Sequence, residues 1–248
     1  MAMQSMKRFQ LGLITLLLGV VSMVPASASF DSEPPKDAEF TWVRVRYHMT
    51  PEAVFEQRRE VPWHHDYPYS DEAFPTFVKE VTHIHTASNA YQIVDIDSED
   101  LFKYPFAYLC EPGYLELNEK DTNNLRQYLE RGGFMVIDDF RGARHLNNLV
   151  NQMKKVLPNS NIVPLTLSHQ IFDSFYKVES LDMRPPYGHE PVQFLGLEDD
   201  RGRLVMVINY NNDLGEFWQW LDEGSLSLHE AAESLKIGTN YLMYAFTH

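Results

Sequence analysis

Four apolar residues in a row, Phe134-Met135-Val136-Ile137, lie between Gly132-Gly133 and Asp138-Asp139. A strand with one wet face alternates polar and apolar side chains, so an unbroken run must be buried on both faces. That is the environment of a central parallel strand. Helical patterns flank it. Before it, Leu125 and Leu129 at i and i+4 follow a capping Asn118, and the glycine pair ends the helix by supplying positive φ. After it, Leu146, Leu149, Val150, Met153 and Val156 keep helical spacing over about residues 144–157, where Pro158 stops them. Helix, buried strand, helix is the repeating unit of a parallel sheet covered on both sides.

The rest of the chain extends this pattern. Residues 41–47 alternate with period two and are expected as a strand with Trp42, Arg44 and Arg46 on one face. Residues 51–69, rich in proline, histidine and aromatics, read as a long irregular loop. Phe74, Phe77, Val78, Val81 and Ile84 predict a helix capped by Ser70 or Asp71, with Pro75 in its first turn and His83 and His85 near its end. Residues 91–96, 105–110 and 162–165 suit short buried strands, and 192–197 with 203–210 predict an antiparallel hairpin around Asp199-Asp200-Arg201-Gly202. A last helix over about 228–246 opens on a capping box between Ser227 and Glu230. The expected fold class is α/β: a three-layer sandwich with a mostly parallel central sheet and a late antiparallel hairpin, in one domain over residues 40–248.

Charge and cysteine usage narrow the function classes. The 35 acidic side chains against 21 basic ones give a net charge of −14, which repels a nucleic-acid backbone and argues against such a partner. One cysteine excludes an intramolecular disulfide framework and any cysteine-rich metal site. At the N-terminus, Lys7 and Arg8 precede an apolar run over residues 11–24 and then Pro25-Ala26-Ser27-Ala28-Ser29. These are the three parts of a signal peptide, with cleavage after Ala28. The apolar run is too short for a bilayer span, and no later stretch approaches that length. Residues 1–28 are therefore expected as a signal peptide and 29–39 as an extended lead-in. The mature chain is expected to be periplasmic or secreted, without a stable membrane span.

In a parallel sheet, ligands bind where the strands end and helices begin. Cys110-Glu111-Pro112-Gly113 and Asp138-Asp139-Phe140-Arg141-Gly142 reach that edge. Neighbouring strand residues point to opposite faces, so one of Asp138 and Asp139 enters a pocket while the other binds backbone or arginine. An ionised Asp139 at the turn suits a metal ligand, a base, or a cap paired with Arg141 or Arg144. His64-His65-Asp66 offers imidazoles and a carboxylate that a loop can fold onto one ion, although two adjacent histidines are by themselves a weak signal. Asn209, Asn211 and Asp213 carry a single charge, and the nearby glycine is at the wrong offset for a calcium loop. A polar turn leading to Trp218 and Trp220 is the simpler reading. No cofactor motif stands out, and a divalent metal is the one cofactor these side chains admit.

Several motifs carry a resemblance in combination: Val45-Arg46-Tyr47, Trp63-x-x-Asp66-Tyr67-Pro68, Tyr104-Pro105-Phe106, Pro112-Gly113, Gly132-Gly133-Phe134 through Asp138-Asp139-Phe140, His169-x-Ile171-Phe172, and Asn240-Tyr241 to Thr247-His248. Through them the chain from about residue 40 to 248 resembles the bacterial domain-of-unknown-function family 4159. The resemblance implies a class I glutamine amidotransferase-like (flavodoxin-like) fold. It also implies a role in an envelope assembly or sensing system, since relatives often carry the domain as the periplasmic part of larger membrane proteins. True amidotransferases of that superfamily hold a cysteine nucleophile at an elbow after the strand that follows a Gly-Gly pair. Matching Gly132-Gly133 to that pair puts Asp139 at the elbow and leaves Cys110 at the preceding strand end, where it reads as a small buried side chain. Without a thiolate at the elbow, glutamine hydrolysis is not expected. His169 matches a histidine of other branches of the fold, with Gln170 where the family has proline. It is either an acid–base partner of Asp139 or a side chain that fixes its own loop. The expected function is therefore a non-catalytic domain that binds a small molecule or envelope protein in a pocket of Asp66, Tyr67, Asp139, Arg141, His169, Asn209 and Asp213. The alternative is a hydrolase using Asp139 and His169 as an acid–base pair or as metal ligands.

Overall fold

Strands and helices alternate through the computed structural model, which describes residues 38–56, 61–221 and 223–248. The expected signal peptide, and the lead-in up to residue 37, lie outside the described residues. The strands are β1 (Phe40–Arg46), β2 (Thr86–Asp95), β3 (Phe106–Cys110), β4 (Phe134–Phe140), β5 (Asn161–Pro164), β6 (Gln193–Glu198) and β7 (Leu204–Tyr210). The helices are α1 (Pro51–Glu56), α2 (Tyr69–Val81), α3 (Glu119–Glu130), α4 (Gly142–Val156), α5 (Leu214–Gln219) and α6 (Leu228–Thr247). All seven strands form one sheet in the order β2-β1-β3-β4-β7-β6-β5. Only β6 runs against the rest, pairing antiparallel with β5 and β7, so the protein is α/β with a mostly parallel sheet.

Burial follows the alternation of the strands. On one face Trp42, Phe106, Tyr108, Phe134 and Val136 pack with Phe74 and Val78 of α2, Phe217 and Trp218 of α5, and Leu235 and Leu242 of α6. On the other, Val43, Val45, Ala107, Leu109, Met135 and Ile137 pack with Leu125 and Leu129 of α3 and Leu149 and Met153 of α4. The apolar run of β4 thus divides between two cores, as its lack of alternation required. The glycine pair before it has two separate duties. Gly132 ends α3 at φ 103°, whereas a Cβ on Gly133 would sit 2.5 Å from the Tyr128 ring. The chain leaves β1 for β2 at one side and returns to β3 on the other. The boundary between β1 and β3 is therefore the switch point of the sheet, and a crevice is expected beyond its C-terminal ends.

Several local expectations change. The 51–69 stretch contains α1 and a 3-10 turn, Pro62–His64. Helix α2 starts one residue earlier than its expected caps, with Pro68 at the N-cap and no side-chain cap. Ser70 and Asp71 do not cap it because both are engaged by Arg44 of β1. Pro75 consequently falls beyond the first turn, and since the helix ends at Val81, His83 and His85 lie after it. Ser227 makes no side-chain cap on α6. The polar turn after β7 is followed by α5, a helix the sequence pattern did not show.

Asn118 is a cap as expected: its side chain accepts from the N–H groups of Lys120 and Asp121, and the Asp121 carboxylate takes the Asn118 N–H in return. Asn118→Ala should cost about 1 kcal/mol and lower the melting midpoint by roughly 2–4 °C, as read by circular dichroism during heating.

Candidate active site

Arg44, in the middle of β1, has no exposed surface. Its Nε and Nη2 donate to the Asp71 carboxylate, with Nη2–Oδ2 at 2.6 Å. Nη2 also reaches Ser70 Oγ at 2.9 Å. Nη1 reaches the carbonyls of Trp63 and His65, at 3.2 and 2.9 Å, and the Cys110 sulfur at 2.9 Å. The Trp42 indole N–H completes the shell by donating to Asp71 Oδ1 at 2.7 Å. A buried guanidinium needs all its donors met, and here they are met by Ser70 and Asp71 of α2, by Cys110 of β3 and by two carbonyls of the loop between β1 and α2. That loop is thereby drawn over the end of the sheet, carrying His65 and Asp66 with it.

Cys110 is sealed by the same arrangement. Its sulfur accepts from Arg44 and its S–H points to the Pro62 carbonyl at 3.3 Å, and burial pushes its pKa well above the usual thiol range. A side chain in this state is not a ready nucleophile.

Four non-glycine residues among those described have positive φ: Asp66 at 63°, Glu111 at 47°, Asp139 at 54° and Asn211 at 60°. Glu111 follows β3, Asp139 lies at the end of β4, Asn211 follows β7, and Asp66 precedes α2, so all four gather around one edge of the sheet. Left-handed backbone outside glycine costs of order 1 kcal/mol or more and persists where the surroundings impose it, which happens most at functional sites.

The bend at Asp139 separates the two aspartates. The ladder between β4 and β7 loses register between Ile137 and Phe140. Asp138 turns inward, where its carboxylate accepts from Tyr108 Oη (2.9 Å), Asn209 Nδ2 (3.0 Å) and the N–H groups of Leu214 (2.8 Å) and Gly215 (3.0 Å). Burial still pushes its pKa up to about 6. Asp139 faces the loop instead, with its Oδ2 2.7 Å from His65 Nδ1. The same ring nitrogen is 3.2 Å from Asp66 Oδ1. Asp213 caps α5, accepting the Glu216 N–H at 2.9 Å through Oδ1, which leaves Oδ2 facing Arg141 Nη2 at 3.6 Å. Arg141 Nη1 lies 3.8 Å from Asp139 Oδ1. One donor atom each from His65, Asp66, Asp139 and Asp213 lie within 4.8 Å of one another.

So many acids packed together cannot all ionise freely. The bond to Asp139, then that to Asp66, pushes His65 up to about 11. Burial works against ionisation of Asp139, yet the His65 bond holds its pKa below the usual carboxylate range. Burial and then the Asp139 charge raise Asp213 well above that range. Burial is also the main cause that lifts Asp66 to about 7 and Glu111 to about 8. Asp139 is the committed anion of the group, and its neighbours hold protons more tightly.

Of the residues singled out from sequence, Asp66, Asp139, Arg141 and Asp213 come together here. Asn209 is buried behind Asp138, its amide held by Asp138 and Tyr241. The Tyr67 hydroxyl turns to Tyr91 Oη at 3.3 Å, and its ring centroid is 4.6 Å from that of His64. Asp139 is not the cap of α4, whose N-cap is Arg141. His169 takes no part in the cluster: its Nδ1 accepts the Ile171 N–H at 3.2 Å, its ring lies 5.8 Å from that of Tyr244, and the charges it feels are those of Glu198 and His248. The histidine that meets Asp139 is His65, which the His64-His65-Asp66 motif contained without distinguishing it from its neighbour. Glu111 lies in the Cys110-Glu111-Pro112-Gly113 segment expected at this edge, where nothing in the sequence distinguishes it from its neighbours.

A family model described as Domain of unknown function (DUF4159) matches residues 43–246, from β1 to α6 and including every residue of the cluster. A search of the curated proteins found no match.

Arg44→Met should destabilise the protein by about 3–5 kcal/mol, because it strands a buried Asp71 charge. Adding Asp71→Asn, which keeps an acceptor for Trp42, should recover most of that loss. Urea denaturation of the two variants checks both expectations.

Proposed function

We propose that this chain, which belongs to the DUF4159 family, is an exported binding domain of the class I glutamine amidotransferase-like fold. In this reading it has no glutaminase chemistry and takes a polar ligand at Asp139. The observation that carries the proposal is the elbow: Asp139 sits at φ 54° at the end of β4, buried against His65, at the position where the resemblance puts an attacking cysteine. The chain's one thiol is sealed under Arg44, and glutamine hydrolysis needs an accessible thiolate. The strand order β2-β1-β3-β4 is that of a flavodoxin-like sheet, which supports the fold assignment. Export is supported by the tripartite pattern over residues 1–28. Among the described residues no helix is long and apolar enough to cross a membrane.

The cluster suggests what kind of ligand enters. Beside the committed anion Asp139, the carboxyl groups of Asp66, Glu111 and Asp213 crowd the site with oxygen acceptors. Polyols and amines meet such acceptors better than carboxylates and phosphates do. A hydrolase is the alternative, and one contact favours it: Asp139 and His65 are 2.7 Å apart, within reach of proton transfer. That pairing replaces the combination of Asp139 with His169.

Three outcomes are expected on purified protein. Wild type releases no ammonia from glutamine. A thermal-shift screen of polyols and amines finds a saturable stabiliser, worth about 2.7 kcal/mol at a hundredfold excess over Kd. Asp139→Asn, which suits the left-handed bend, melts within a few degrees of wild type and loses that stabilisation. Ammonia release, or equal stabilisation of both proteins, would count against the proposal.

A further inference from the structure

We infer that His65, Asp66, Asp139 and Asp213 form a binding site for one divalent transition-metal ion. The inference rests on the crevice being the working site and names the positive charge it accepts.

Geometry comes first. Bonds from oxygen or imidazole nitrogen to such an ion are about 2.0–2.2 Å, so ligands on opposite sides of it stand about 4.0–4.4 Å apart. The donor atoms of the four residues already lie within 4.8 Å of one another, a span only a few tenths of an ångström wider than that. They come from three separate parts of the chain: the loop before α2, the end of β4 and the start of α5. Each is fixed from behind. The His65 carbonyl is held by Arg44. Asp213 Oδ1 is occupied by the Glu216 N–H, and Asp139 stands on the bend whose inner member, Asp138, is bound by four donors. Ligands oriented in this way by groups behind them are the usual support of a metal centre.

A second observation separates this cluster from a solvated group of acids. Asp66 is only 7% exposed, and its Oδ2 is buried with no hydrogen-bond partner among the described residues. A buried carboxylate oxygen that lacks a donor costs free energy unless something electropositive meets it. Asp213 Oδ2, likewise buried, has Arg141 at 3.6 Å, beyond ordinary hydrogen-bond range. The guanidinium of Arg44 is spent on Asp71, and His65 meets Asp66 through Oδ1, not Oδ2. Three carboxylates and one imidazole match manganese, iron or zinc better than magnesium or calcium, which take oxygen ligands almost alone.

The test is a titration of the full chain, stripped with chelator, with Mn2+ alone, following free ion by electron paramagnetic resonance. One Mn2+ per chain should bind, displaced by Zn2+ and at least tenfold weaker for Mg2+. Asp139→Asn and Asp66→Asn should each weaken Mn2+ by at least tenfold at unchanged circular dichroism. Asp95→Asn, whose target is the partner of Arg46 outside the cluster, should leave it unchanged. No binding up to millimolar Mn2+, Mg2+ binding as tightly, or equal affinity in the Asp139 and Asp66 variants would overturn the metal site. Failure of Mn2+ together with an Asp139-dependent polyol or amine in the thermal screen would remove the metal and leave the binding domain standing.

Discussion

A guanidinium with no exposed surface has to find counter-charge and acceptors inside the protein, and most of this molecule's functional edge is arranged by how Arg44 does so. Its charge is met by Asp71 at the start of α2, and its remaining donors by two carbonyls of the preceding loop and by the Cys110 sulfur. Replacing such pairs with apolar side chains is often neutral for stability, so the value of this one lies in what it fixes. It sets the path of the chain from β1 to α2, and it makes an acceptor of the only thiol.

The bend at the end of β4 supplies the other half of the edge. With Asp138 turned inward, one carboxylate anchors the first N–H groups of α5, and that anchoring brings Asp213 to the cluster. With Asp139 turned outward, the next carboxylate meets His65. Close approach is part of the design: a Cβ on Gly215 would sit 2.7 Å from Tyr108 Oη and 2.9 Å from Asp66 Oδ2. Neighbouring residues with opposite tasks explain how a single strand end both builds the scaffold and turns a carboxylate toward the loop.

Much of the fold was legible because its signals are local. The apolar run of β4, the cap and glycine stop around α3, and the hairpin of β6 and β7 can each be read within a short window. The errors arose where distant residues decide. Ser70 and Asp71 look like helix caps until a strand residue 26 or 27 positions away claims them. Helix α5 is short and held by Asp138 from β4, so its own pattern gives little warning. In the site, Asp139, Arg141 and Asp213 were legible from residue type and position near strand ends, and Asp66 from its motif in the long loop; strand order and the path of that loop bring them together. Choosing between His65 and His169 needed the route of the loop, which Arg44 sets and no periodicity records.

The most direct measurement of this organisation is amide hydrogen exchange on the charge-free variant Arg44→Met with Asp71→Asn, compared with wild type well below either melting point. The expected result is selective: residues 62–70 lose protection by orders of magnitude, while β3 and β4 stay protected because both of their faces remain packed. Unchanged protection over residues 62–70 would contradict it, since the loop would then be held over the sheet by something other than the buried guanidinium.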